Sequence, residues 1–242
     1  MIANDVTSKY TRRNEDEYYR IASYIHNIVQ ERQGNYMIFF PSYFMMEKIY
    51  DVYQKHFNAD WQTECLLQKD FMTEEERENF LKHFTSNQFS KAQEQQMQFS
   101  KIQSQIGLPV EMEDRSLLGF CVMGGIFGEG IDLKQDSLIG VIIVGTGLPL
   151  VCPEREILKS SFDQQEGNGF DYAYRYPGMN KVLQAAGRVI RTEDDIGIIA
   201  LLDERFLQNS YTRLFPREWD EYKIVQESTV GKCVEKFWNE WL

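Results

Sequence analysis

Four short apolar runs constrain this chain most. They are residues 36–40 (Tyr-Met-Ile-Phe-Phe), 117–123, 138–144 and 196–202. Each is nearly continuous rather than alternating, which predicts strands buried on both faces. Between them stand stretches of helical period. Residues 16–33 set Tyr18, Ile21, Ala22, Ile25, Ile28 and Val29 on one face, with Gly34 as the stop. Ser42 is placed to cap a helix over residues 43–57. A further strand is expected at 64–68, and Thr73 with Glu76 forms a capping box opening a helix through Phe84. Strands alternating with helices in this way predict an open, mostly parallel α/β sheet with helices on both faces. The same reading makes residues 1–15 a polar linker and 85–115 a helical insertion. It makes 146–179 a loop-rich stretch, 181–191 a helix and 205–242 a helical tail with exposed aromatics.

Composition limits what such a domain can bind. A chain of 242 residues buries a full core, as one domain with insertions. Acidic residues outnumber basic ones 37 to 26, a net charge of -11. That excludes a broad basic footprint for duplex nucleic acid but leaves room for a narrow single-strand track. Cys65, Cys121, Cys152 and Cys233 show no C-x-x-C spacing, and His26, His56 and His83 are scattered, so no metal site is predicted. Cys65 and Cys121 lie in apolar runs and are expected in the core. Reduced thiols, no leader sequence and no apolar run of spanning length predict a cytoplasmic protein without a membrane segment.

Open α/β sheets carry their sites at the carboxyl ends of the strands. The loops after residues 40, 123 and 144 meet that rule, and they hold the unusual residues. In Gln184-Ala185-Ala186-Gly187-Arg188-Val189-Ile190-Arg191, a helix puts Gln184, Arg188 and Arg191 on one face at i, i+4, i+7. Gly187 removes a side chain beside them. Two guanidiniums and an amide suit the charge of a transferring phosphoryl group. Residues 124–130 hold four glycines in seven positions, either a tight strand-to-helix turn or a loop whose amides approach a ligand. Ser42 is a helix cap whose hydroxyl and neighbouring amides also suit a phosphate. Tyr172, Tyr174 and Tyr176 alternate along what reads as an extended segment. They either pin a loop to the sheet edge or stack on bases, with Arg175 on a phosphate. Lys181 is either a solvated helix-start lysine or an added phosphate contact, and Trp238 and Trp241 either finish the local core or dock on a partner.

In chain order these segments are Phe39-Phe40-Pro41-Ser42-Tyr43, the glycine loop ending Gly128-Glu129-Gly130-Ile131-Asp132-Leu133, a strand ending in Gly145-Thr146-Gly147, and the Gln184–Arg191 octet with a run ending Leu202-Asp203. Over residues 36–215 the chain resembles the carboxy-terminal motor domain of XPD/DinG-type superfamily 2 ATP-dependent DNA helicases. The octet is similar to motif VI, the glycine loop to motif V and Phe39–Tyr43 to motif IV. Thr7-Ser8-Lys9-Tyr10-Thr11-Arg12-Arg13 is similar to the crossing from the first motor domain. The resemblance implies a RecA-like fold, in which Arg188 and Arg191 reach the γ-phosphate of ATP and Gln184 positions water or phosphate. It puts Asp132 on the ribose side, Glu129 and Gly130 at the hinge between nucleotide and strand, and Gly187 beside the nucleotide. Ser42, Tyr43, Gly124 and Gly125 would contact the phosphates of single-stranded DNA. Gly124 stands where many family members have a threonine, so an amide contact would replace a hydroxyl there. The implied activity is ATP-driven translocation, usually 5′ to 3′, and duplex unwinding in DNA repair or replication.

No G-x-x-x-x-G-K-[ST] and no Asp-Glu-Ala-His box occurs in the chain. ATP and Mg²⁺ are therefore expected to be held mainly by a first motor domain outside it, and the chain alone is expected to be inactive. A 4Fe-4S cluster, where the family has one, belongs to that other half. The rival reading is a non-catalytic RecA-like adaptor module. A stand-alone nucleotide-binding transferase is the weakest reading, since the chain has no phosphate loop of its own.

Overall fold

The computed structural model describes residues 1–58, 63–85, 116–127, 138–165, 167–190 and 195–241. Its centre is a seven-stranded sheet of order β3-β4-β2-β5-β6-β1-β7, in which every pairing is parallel. The strands are β1 (Ile2–Ala3), β2 (Asn35–Phe40), β3 (Thr63–Leu67), β4 (Ser116–Val122), β5 (Gly140–Val144), β6 (Ile198–Leu202) and β7 (Ile224–Val225). The helices that position the site are α1 (Glu15–Val29), α2 (Tyr43–Phe57), α3 (Glu74–Thr85), α4 (Pro153–Gln165), α5 (Tyr176–Ala186) and α6 (Glu227–Trp241).

Alternate residues of the central strands feed two cores. Tyr36, Ile38 and Phe40 join Phe120, Val122, Ile142 and Val144 under α1, α2 and α6. Met37 and Phe39 join Cys121, Val141 and Ile143 under α3 and α5. Both faces are therefore dry, which is why the strands read as continuous apolar runs.

The helix starts are chemically specified. Asn14 caps α1 by accepting from the Glu17 amide at 2.8 Å. The Ser42 hydroxyl accepts from Met45 at 3.3 Å to cap α2. At α3 the capping box closes both ways, with Thr73 Oγ1 accepting from the Glu76 amide at 3.2 Å and Glu76 Oε2 accepting from the Thr73 amide at 2.9 Å.

Five expectations change. The opening residues, expected as a linker, enter the sheet: Ile2 pairs with Leu201 and Ile224, and Ile2, Ala3 and Val6 are buried. The helix expected to stop at Gly34 ends at Val29. Gly34 instead makes room for Ile139, whose Cδ1 would lie 2.3 Å from a β-carbon there. The stretch expected as loop contains α4, and the tail contains β7.

The aromatic segment is the fifth change. It is helical rather than extended: Asp171–Arg175 form a π-turn running directly into α5. Pro177 has no N–H to return to the Ala173 carbonyl, and Arg155 Nη1 donates to that carbonyl instead at 2.9 Å. Tyr174 is buried with its hydroxyl on Glu156 at 2.5 Å, and Tyr172 stacks on Phe162 at 4.1 Å. Arg175 is ion-paired to Asp171 and packs over Phe170 and Tyr211. These rings and this guanidinium serve packing.

The expected insertion lies outside the described residues beyond Thr85. Trp238 is buried beneath the Arg32 guanidinium, 4.3 Å from its ring centroid, whereas Trp241 is exposed. No helix among the described residues is long and apolar enough to cross a membrane.

Candidate nucleotide and nucleic-acid site

Because every strand runs the same way, the segments after β2, β3, β4, β5 and β6 all emerge at one edge of the sheet. The first pair to meet there are the Ser42–Tyr43 helix start and the Gly124–Gly125 turn. Gln68, buried just beyond β3, joins them. Its Nε2 donates to the Tyr43 hydroxyl at 2.8 Å, its Oε1 accepts from the Val122 amide at 2.9 Å, and its own amide donates to Phe120 at 2.9 Å. The Tyr43 oxygen thus serves as an acceptor, and its own proton remains for another acceptor. Burial, and then the Asp70 charge, raise the Tyr43 phenol above its ordinary range, so it stays protonated.

The turn itself is tightly placed. The Met123 amide donates to Phe40 at 2.8 Å, and the Gly125 amide closes onto Val122 at 3.1 Å. Gly125's N–H is therefore spent inside the turn. Gly124 takes a left-handed φ of +68°, with the Lys181 stem lying across it from α5.

Helix α5 links this turn to the arginine segment. Gln184 lies exposed on α5, but the helix stops at Ala186, before the expected end. Gly187 is the C-cap, its N–H donating to Leu183 at 2.9 Å; Arg188 and Val189 then form tighter bonds to Ala185 and Ala186, each 3.2 Å. The cause is Val189, which turns into the core against Gly197: a β-carbon on Gly197 would sit 2.2 Å from Val189 Cγ1. The i, i+4, i+7 argument therefore does not carry past Ala186, and Arg188 is presented by a tightened turn, half-buried. Gly187 is exposed, and a β-carbon there would meet only helix carbonyls, Leu183 at 3.4 Å and Gln184 at 3.9 Å. Glu129, Gly130, Asp132 and Arg191 lie outside the described residues.

Two residues were not singled out from sequence. Gln68 is one; its only signal is an amide directly after an apolar run. Asp203 is the other, noted only as the end of a strand. Its carboxylate is fully buried and holds the opening segment, accepting from the Ser8 amide at 2.8 Å, Ser8 Oγ at 3.0 Å and Thr7 Oγ1 at 3.3 Å. Arg205 pairs with it through Nε at 2.8 Å and Nη2 at 2.7 Å. Burial alone would raise the Asp203 carboxyl, but the hydrogen bonds and charge of Arg205 more than reverse it, leaving it below the ordinary range. Ser8 in turn packs on Gly145, whose φ is +81° and whose absent β-carbon would lie 2.3 Å from Ser8 Oγ. Among the described residues no three His, Cys, Asp or Glu side chains are grouped to hold a metal ion.

Comparison with known proteins identifies the family and the fold. Residues 25–222 match the helicase C-terminal domain family. The ATP-dependent DNA helicase XPD of Sulfolobus acidocaldarius is 27% identical over 214 residues, which cover 85% of this chain and 31% of that protein. The ATP-dependent DNA helicase DinG of Photobacterium profundum is 33% identical over 106 residues, 43% of this chain and 15% of that protein. A solved XPD helicase structure superposes with a TM-score of 0.64 at 21% identity, covering 93% of this chain and 34% of its own, a likeness of fold. The chain thus spans about a third or less of the length of these relatives. Over most of its length it is a RecA-like domain, and it belongs to the helicase C-terminal domain family of XPD/DinG type.

Proposed function

We propose that this domain is the second motor lobe of an ATP-dependent DNA helicase, tracking single-stranded DNA and working in DNA repair or replication. The observation that carries the reading is the shared edge. Ser42, Tyr43, Gly124 and Gly125 meet there through Gln68, and α5 runs from that turn past Gln184 to Ala186, beyond which a tightened turn presents Arg188.

The exposed Gly187, where a β-carbon would meet only the Leu183 and Gln184 carbonyls, supports the approach of a phosphate on the nucleotide side. Bound with Mg²⁺ chiefly by a first motor lobe, ATP supplies the phosphoanhydride to be cleaved. Arg188 and Arg191 donate charge-assisted hydrogen bonds to the γ-phosphate, and Gln184 orients water or phosphate. Asp132 accepts from the ribose, with Glu129 and Gly130 at the hinge and Gly187 leaving room. The arginines gain these bonds only while the γ-phosphate is present, so they favour the closed arrangement of two lobes until it leaves. The Ser42 and Tyr43 hydroxyls and the Gly124 turn hold DNA phosphates, which converts opening and closing into stepping along the strand.

The test is Arg188→Ala in the protein with both lobes. An arginine finger is worth roughly 10³–10⁵ in rate, so DNA-stimulated ATPase falls by at least about 10³ while the thermal midpoint stays put. Retention of more than about a tenth of the activity removes the finger assignment and favours the adaptor reading.

A further inference from the structure

We propose that Lys181 is a phosphate contact for single-stranded nucleic acid, mounted on the same helix as the nucleotide-facing Gln184; this rests on the reading of this edge as a DNA track. Lys181 is no solvated helix-start lysine. It is half-buried within α5, and its stem crosses the exposed Gly124. A β-carbon on Gly124 would lie 2.9 Å from Lys181 Cε and 3.2 Å from Nζ. The ammonium therefore sits at the turn, over a backbone in the left-handed region.

Acids outnumber bases 37 to 26, yet Lys181 forms no ion pair among the described residues. Burying part of a lysine without a counter-charge is unfavourable, and an incoming phosphate supplies that charge. The turn is flanked on its other side by the buried Gln68, whose Nε2 donates to the Tyr43 hydroxyl. The Gln68 amide nitrogen lies 3.0 Å from where a β-carbon of Gly125 would be, so Gln68 and Lys181 close on the two glycines from different elements.

Lys181 and Gln184 are three residues apart on one helix, and so neighbours on its surface. A DNA phosphate held by Lys181 is thus tied through one rigid turn to the group facing the nucleotide. That gives strand binding a direct mechanical route to the ATP side.

The experiment titrates a fluorescein-labelled oligothymidylate with the 242-residue chain over a series of KCl concentrations. Lys181→Gln should weaken binding and make the slope of log K against log salt shallower by about 0.7, the value for one phosphate on a single strand. Lys181→Arg keeps the charge and should restore the slope. A Lys181→Gln slope equal to wild type overturns the proposal. So does a lower melting midpoint with the slope unchanged, which makes Lys181 a brace for the turn. If the wild-type chain does not bind the oligonucleotide even at low salt, the DNA-track reading falls and takes this proposal with it.

Discussion

Asp203 is a charge placed where a charge is costly. Its side chain has no exposed surface, and its partner Arg205 keeps only 16% of its own. A buried pair is not automatically stabilising, but removing one member leaves the other uncompensated, at a cost of about 3–5 kcal/mol. Asp203→Asn keeps the shape, keeps acceptor capacity for Ser8 and loses the counter-charge to Arg205. Because the folded carboxyl titrates below its unfolded value, it contributes stability that is full above the unfolded pKa of about 3.9 and is lost as pH falls through the lower folded value. Urea unfolding should therefore show Asp203→Asn well below wild type at neutral pH, with the gap closing as pH drops under about 4. A gap that stays constant with pH would mean the ionised form contributes nothing special. What it grips is Thr7 and Ser8, which ties the opening segment to the end of β6.

At the scale of elements, α2 separates a structural role from a proposed functional one. Its cap, Ser42, is also the residue assigned to a DNA phosphate, and a serine at that position does not say which role dominates. Asp caps helices as well as Ser does but carries a charge that repels phosphate. Ser42→Asp should keep the unfolding free energy within about 0.5 kcal/mol of wild type and weaken oligothymidylate binding at least about tenfold. Unchanged binding would reduce Ser42 to a cap. The bounds of α2 were legible because the cap, the buried Met45, Met46 and Ile49 and the preceding strand agree. Helix α4 was not, because none of its residues is buried and so no apolar period marks it. The π-turn was misread because Tyr172, Tyr174 and Tyr176 alternate like a strand, while the wide turn that accommodates Pro177 is a local hydrogen-bond choice. Two-residue strands such as β1 and β7 have no period at all, and only their neighbours in the sheet define them. At the proposed site, the meeting of the Ser42 cap and the Gly124 turn at one sheet edge was legible from the strand pattern, while the helical spacing of Gln184 and Arg188 ended at Ala186. Gln68 was not legible, since its role exists only once three chain segments meet.

The proposed site lies along one edge of the sheet, in a molecule whose net charge of -11 discourages anions elsewhere. A triphosphate at the proposed site would be drawn by the side-chain donors of Gln184, Arg188 and Arg191. Among the described residues of this stretch the Gly187, Arg188 and Val189 amides are spent on Leu183, Ala185 and Ala186, and the sequence contains no G-x-x-x-x-G-K-[ST] to provide a cradle of amides. Catalysis of phosphoryl transfer needs both, together with a carboxylate to hold Mg²⁺. The 242-residue chain alone should therefore release no phosphate from ATP above background, with or without oligothymidylate. The same residues joined to a lobe bearing a phosphate loop should turn over and respond to the oligonucleotide. A continuous phosphate-release assay on the two proteins side by side decides the matter. Turnover by the chain alone that Arg188→Ala abolishes would show that this edge binds and activates the nucleotide by itself. The arginine segment would then be a complete site rather than one wall of a cleft, and the two-lobe reading would have to be abandoned.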